Sequence, residues 1–430
     1  MSRRCLLLLG SLVFSASASL GCHHPQMKPD YSRALPEGAP ALRKVTEASQ
    51  MPDLASAFNA QTPALSEAID KSLRWFAIPS TTQFYPLQPE GITHAQARAS
   101  VFALKALLGS STSGAQFQQR VQQEFDLWMS VGWNDKGVVL YTGYYTPIFT
   151  ASRSCTDEYR YPLYQTPGDL VIDPASGAVK GRDMGGGRLE PYPTRAQIEH
   201  FPQLLGLKGR ELVWMKDKFD AFIVQVQGSA QLKLTDGTTM NIGYAGSNGL
   251  DYASVNKQLV ADGKLDPDHA NLQAMIAFFH AHPEQLDQYL DQDPRYVFFK
   301  EYNNPEWPAG SLGFQVTPLR SLATDKRIFP RGCVTVAASN TPQAGQAPPV
   351  VTDKFTFCQL SLDQDTGGAI RAPGRADIYY GIGPEAGAAA GLQFAEGRLY
   401  YLLLKPERVN FWLDQMPAPP TARQPRRTTK

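Results

Sequence analysis

The 430-residue sequence has no excess of charge of either sign: 41 lysines and arginines face 40 acidic residues, for a net charge of +1. That balance leaves no basic footprint for nucleic acid. Histidine is scarce, at seven residues, and scattered. His280 and His282 stand two apart within a helical pattern and so point to different faces. HExxH and paired-cysteine spacings are missing, which argues against a metal centre. Gly228-Ser229-Ala230 lacks the second glycine of a nucleophile elbow. Gly185-Gly186-Gly187 is not followed by Lys-Ser/Thr, so a phosphate cradle is not expected either. The sequence calls for no cofactor.

Long apolar runs are also missing, apart from one near the start. Arg3 and Arg4 precede apolar residues from Cys5 to Phe14, then a small-residue stretch ending at Cys22. The run is shorter than the roughly 20 residues needed to span a bilayer. Residues 1–22 therefore read as a signal peptide, and Leu20-Gly21-Cys22 as a lipoprotein box with Cys22 as the acylated residue. Cleavage for plain secretion is the alternative. Without Cys5 and Cys22, three cysteines remain, an odd number for an oxidising compartment. Cys333 and Cys358 are the best-placed pair for one bridge; buried free thiols fit as well, and Cys155 is left over.

What is abundant is turn-forming and β-compatible: 33 prolines, 35 glycines and 18 tyrosines. Residues 23–60 read as a polar linker. Apolar periodicity predicts helices over 63–75, 94–108, 115–130, 251–262 and 267–292. Strands are expected at Val138–Tyr141, Phe222–Gln227, Gln231–Leu234, Ser311–Pro318, Gly332–Ala337, Phe355–Leu360 and Leu399–Leu404, with an Asp236-Gly237 hairpin turn. A Pro/Gln/Gly/Ala loop at 341–350 and a disordered tail from about 417 complete the chain. Helices set aside in blocks imply a mainly β, α+β or barrel architecture.

One stretch offers chemistry. Asp365-Thr366-Gly367-Gly368-Ala369-Ile370 and Asp377-Ile378-Tyr379-Tyr380-Gly381 place two carboxylates in a glycine-rich, otherwise apolar context. Glycines let substrate approach the backbone. Asp377 lies between Ala376 and Ile378, where burial would keep it protonated near neutrality. Glycosidic cleavage needs such a group. A turn-forming Asp365 and a structural Asp377 are the competing readings.

Six segments in order resemble the MltA family of membrane-bound lytic murein transglycosylases, over about 75 to 410. They are Tyr141–Pro147; Asp220-Ala221-Phe222 with Val224–Ser229; Gly243–Gly249; Tyr296–Phe299; Thr317–Asp325; and Asp365–Ile370 with Arg375-Ala376-Asp377. The resemblance implies a double-psi β-barrel domain with N-terminal helices (61–147 plus 247–415), interrupted by an inserted β-rich domain (148–246), with a groove between them and a tail at 416–430. It implies Asp377 as the catalytic acid, supported by Asp365. Tyr144 and Tyr145 are candidates for stacking on sugars, with simple core packing as the alternative, and Gln225 and Gln227, alternating on a strand, for hydrogen bonding; Gly228, Ser229, Gly367 and Gly368 complete the candidate substrate-binding set. The activity implied is cleavage of the bond between N-acetylmuramic acid and N-acetylglucosamine with 1,6-anhydro ring closure. The alternatives are a non-catalytic wall-binding lipoprotein and an inverting hydrolase. Implied partners are peptidoglycan strands, a membrane reached through the lipid anchor, and cell-wall synthesis or division proteins. The implied place is the periplasmic face of the outer membrane, or the periplasm if Cys22 carries no lipid.

Overall fold

Two sheets, each assembled from distant stretches of chain, organise the computed structural model, which describes residues 29–173, 178–203, 205–267, 269–340 and 357–417. The first sheet has the order Leu42–Lys44, Phe125–Ser130, Phe394–Leu404, Val334–Ser339, Phe357–Asp365, Ser321–Ala323, Arg375–Ile382, Val139–Thr146. The last of these also pairs with Phe394–Leu404, so the order returns on itself. Inward residues of these strands are small or branched and almost wholly buried, among them Leu322, Val336, Leu362, Ala376 and Ile378. Each large apolar side chain removed from water contributes about 1.5–3 kcal/mol.

Helices cover this sheet. Pro63–Phe76 starts on a proline at its first turn and buries Leu65, Ile69, Trp75 and Phe76. His94–Ser110 starts at Thr93, whose hydroxyl accepts from the Gln96 amide. The helix expected over 115–130 ends at Glu124, and Phe125–Ser130 is a strand. Its alternating Phe125, Leu127 and Met129 pack inward at a period of two, which the helical reading of Phe125 and Trp128 overlooked. The linker expected over 23–60 is structured from well before residue 60. Leu42–Lys44 pairs with Phe125–Ser130, and Leu54–Asn59 buries Leu54, Ala57 and Phe58. The chain is tied down as early as Tyr31, whose hydroxyl donates to Glu396 at 2.7 Å.

After Thr146 the chain enters a second unit with its own core of Leu163, Val213, Met215, Val224, Leu232, Ile242 and Phe299. Its main sheet has the order Val297–Glu301, Thr239–Ser247, Ser229–Leu234, Ile148–Ser152, Glu211–Met215, Tyr161–Tyr164. The hairpin at Asp236-Gly237 forms as expected, with Gly237 at φ 84°. This unit runs to Glu301 rather than ending at 246: the final strand pairs with Thr239–Ser247, and helices Val255–Ala261 and Leu272–Ala281 pack on Phe219 and Phe222.

Three more expectations change. Phe222–Gln227 is not a strand but part of helix Lys218–Gln227. Asp217 caps its start, accepting from the Phe219 and Asp220 amides, and left-handed Gly228 closes its end. Those caps override the β-branched composition. The segment expected as strand Ser311–Pro318 is irregular, with a bridge between Ala309 and Gln315 and turn-type bonds such as Gly313 N–H to the Gly310 carbonyl. The helical stretch 267–292 breaks at His282-Pro283 into shorter turns, because proline cannot continue the hydrogen-bond ladder. The expected signal peptide with Cys22, the expected 341–350 loop and the expected tail beyond 417 lie outside the described residues.

Candidate active site

Asp377 stands on the strand Arg375–Ile382, whose side chains alternate between the core and the outer face. Ala376 and Ile378 are buried, whereas Arg375 and Asp377 are partly exposed. The neighbouring strands fix what surrounds it. Asp365 is opposite Ala323, Ala323 opposite Asp377, Asp377 opposite Thr142, and Thr142 opposite Phe394. Residues directly opposite one another share a face, so these side chains form one row across the outer face. Between the two carboxyls in this row stands Ala323, with its short side chain.

The Thr142 hydroxyl donates to Asp377 Oδ1 at 2.6 Å, and Arg375 Nη2 donates to the same hydroxyl at 3.0 Å. Burial raises the Asp377 pKa to about 6; Thr142 and Arg375 pull it down, and the Asp365 charge pushes it up. A carboxyl so placed keeps its proton well above the ordinary carboxylate range of about 4.

Asp365 is held differently. Its Oδ2 accepts from the Tyr144 hydroxyl at 2.8 Å, and its Oδ1 from the amides of Ser311 and Thr366, each at 2.8 Å. Burial pushes its pKa up as well, against these donors and the charge of Lys326. Two residues earlier, beyond a register shift that places Asp363 opposite core Leu322 and Asp365 opposite Ala323, Asp363 is wholly buried; it pairs with Lys326 and accepts from Thr324 and Tyr401.

The loop between the two aspartate strands is pinned by Asp325. This buried carboxylate accepts from the Ala372 amide at 3.0 Å and from Arg327 through both oxygens. Gly368 has a packing reason to be small. A Cβ there would lie 2.7 Å from Arg295 Nε, a side chain of the second unit fixed to the Leu250 carbonyl. Gly367 has more room, with Ile370 at 3.2 Å from an added Cβ.

The other expected residues divide. Tyr144 is at the site, but its ring packs on Tyr379 with centroids 5.1 Å apart, and its hydroxyl is engaged by Asp365. The Tyr145 ring packs on Gly387, where an added Cβ would meet it at 2.7 Å. Gln227 accepts from the Tyr145 amide, and the Ser229 hydroxyl lies 3.0 Å from that of Thr146, which also meets the Tyr379 hydroxyl. Gln227 and Ser229 thus join the two units beside the site. Gln225 does not reach it: the side chain is buried on a helix and accepts from the Val297 amide. Gly228 is that helix's left-handed cap. Sequence reasoning missed Thr142, Arg375, Ala323 and Ser311. Thr142, Arg375 and Ala323 lie inside quoted motifs, whereas Ser311 sits in an irregular segment and reaches Asp365 only through its backbone amide.

The row supplies a partly exposed carboxyl with a raised pKa, a hydroxyl and guanidinium that orient it, and a second, fixed carboxyl one strand beyond Ala323. Comparisons with known proteins place the chain in a family. Residues 140–300 match the family profile described as the MltA specific insert domain, and residues 320–403 match the 3D domain. The membrane-bound lytic murein transglycosylase A of Escherichia coli (strain K12) is 31% identical over 304 residues, 68% of this chain and 73% of that protein. Its counterpart in Vibrio cholerae is 30% identical, over 64% of this chain and 68% of the other. A membrane-bound lytic murein transglycosylase from Agrobacterium tumefaciens superposes with a TM-score of 0.62 at 25% identity, covering 86% of this chain and 99% of that one. The E. coli MltA structure with bound chitohexaose gives 0.60 at 26%, covering 86% and 96%. This chain belongs to the MltA family of membrane-bound lytic murein transglycosylases.

Proposed function

We propose that this protein is a lytic transglycosylase that cleaves peptidoglycan glycan strands, with Asp377 as its acid and then its base. The observation that carries the reading is Asp377 itself, a partly exposed carboxyl with its pKa at about 6 and its orientation set by Thr142. Neutral Asp377 protonates the oxygen between N-acetylmuramic acid and N-acetylglucosamine. As that C–O bond breaks, the muramoyl C1 gains oxocarbenium character. The carboxylate left behind takes the proton from the muramoyl C6 hydroxyl, whose oxygen attacks C1 and closes a 1,6-anhydro ring. Proton count balances on one residue, and no water is consumed, so no second carboxylate is needed to activate it.

Asp365 supports this division of labour. Three donors occupy its two oxygens, which suits a fixed charge that raises the pKa of Asp377 rather than a base that must accept a proton from water. We further infer that the self-closing strand order is a double-psi barrel, with the glycan lying along the outer face between the two units. Acylation at Cys22 would hold the enzyme at the periplasmic face of the outer membrane, close beneath a fold that already engages the chain at Tyr31.

The test is a digest of purified peptidoglycan read by mass spectrometry. The wild-type protein should release fragments ending in 1,6-anhydromuramic acid, and Asp377→Asn should release none. Reducing ends that carry oxygen from labelled water would identify a hydrolase instead, and no release at all would leave a wall-binding protein.

A further inference from the structure

Phe394 is unused by the mechanism above, yet it stands in the same lateral row as the acid. It opens the strand Phe394–Leu404 and lies opposite Thr142, the residue that orients Asp377. The ring is 46% exposed and joins none of the buried apolar clusters. An isolated exposed phenylalanine needs no explanation by itself. Three features set this one apart.

The backbone on either side is fixed. Gln393 is buried, accepting from the Tyr380 hydroxyl at 2.8 Å and donating to the Tyr141 carbonyl at 3.4 Å. Ala395 is also fully buried. Strand alternation then obliges the Phe394 side chain to face outward, on the side that carries Asp377. The distance fits a glycan. Two strand spacings separate Phe394 from Asp377, roughly 10 Å, a span that a short run of sugar units covers. The obvious alternative platform is taken as well, because the Tyr144 ring is packed on Tyr379.

We propose that Phe394 is a substrate-binding residue on which one pyranose of the glycan strand lies flat, C–H face to ring, setting the strand's register over Asp377. This rests on the reading of the protein as a glycan-cleaving enzyme. The ring is present before substrate arrives and meets a sugar away from the bond being broken. Its contribution is therefore equal in ground and transition states, and should appear in KM.

The experiment measures kcat and KM of the full chain on soluble glycan strands for wild type, Phe394→Ala and Phe394→Trp. Aromatic contacts of this kind correspond to roughly two- to tenfold in binding. Phe394→Ala should raise KM by several-fold with kcat held, and Phe394→Trp should keep KM at or below the wild-type value. A KM for Phe394→Ala within about twofold of wild type would overturn the proposal. So would equal losses in both variants, or a fall in kcat with KM unchanged, since each points to a structural role. Wild-type activity on the same strands separates the two readings. If wild type does not cleave, the enzyme assignment fails; if it cleaves and Phe394→Ala is indifferent, only the platform fails.

Discussion

On one side of Ala323, Asp365 accepts from the Tyr144 hydroxyl and the amides of Ser311 and Thr366; on the other, Asp377 accepts, among the described contacts, only from Thr142. Both carboxyls face the same way from the same sheet, and burial pushes both upward in pKa. What differs is spare capacity. A carboxylate with both oxygens bonded is fixed in place, whereas one with a free oxygen can hold a proton and release it. Asp363, two residues before Asp365 and across a register shift from it, extends the contrast: wholly buried and paired with Lys326, it has a structural task. Neighbours, not residue type, set these three aspartates apart; on the proposed mechanism they become donor, fixed charge and core ion pair.

Breaking the donor should cost most. Asp377→Asn keeps the shape and the Thr142 contact but carries no transferable proton, so the cleavage rate should fall 10²–10⁴-fold, by about the usual contribution of general acid catalysis. Thermal unfolding and binding to insoluble murein should hardly change. A variant that keeps more than about a hundredth of the wild-type rate would remove Asp377 from the role.

Asp363→Ala attacks the core instead. It strands the Lys326 ammonium inside the sheet, and removing one partner of a buried pair typically costs about 3–5 kcal/mol. Urea unfolding should show that loss. A stability within about 1 kcal/mol of wild type would mean that Lys326 finds water or another partner.

Two milder variants should move the pH profile in opposite directions. The Thr142 hydroxyl favours the Asp377 anion, so Thr142→Val should raise the pKa and carry the alkaline limb upward, by about one pH unit for a bond of 1–2 kcal/mol. The Asp365 charge disfavours that anion, so Asp365→Asn should carry the limb downward. Its shift should be the smaller one, because the charge acts from beyond Ala323 and not through a bond. Limbs that move together, or not at all, would show that the two flanks do not act on Asp377 as described.

Much of this was legible from residues alone. The Asp365 and Asp377 segments, the helices at Pro63 and Thr93 and the Asp236-Gly237 turn all carry local signals, because caps, turns and glycine-flanked acids act within a few residues. The errors share a physical cause in context beyond that range. Phe222–Gln227 has strand composition but is helical between the Asp217 cap and Gly228. Gln225 therefore points into the core instead of toward sugar. Leu42–Lys44 reads as linker until its partner Phe125–Ser130 is known. That a side chain at Gly368 would meet Arg295 from the other unit is likewise set by distant packing. The row from Asp365 to Phe394 depends on register between strands far apart in sequence, and no single-segment pattern encodes it.

The central claim is that Asp377 is the group that must be protonated for cleavage, with its pKa lifted to about 6 by burial. The most direct measurement is kcat/KM against pH on soluble glycan strands, since that ratio reports the ionisation of the free enzyme. Because the acid works only when protonated, activity should fall as pH rises through an alkaline limb near 6, and the limb should climb in Thr142→Val. A limb at the ordinary carboxylate value of about 4, or no limb below neutrality, would contradict the assignment.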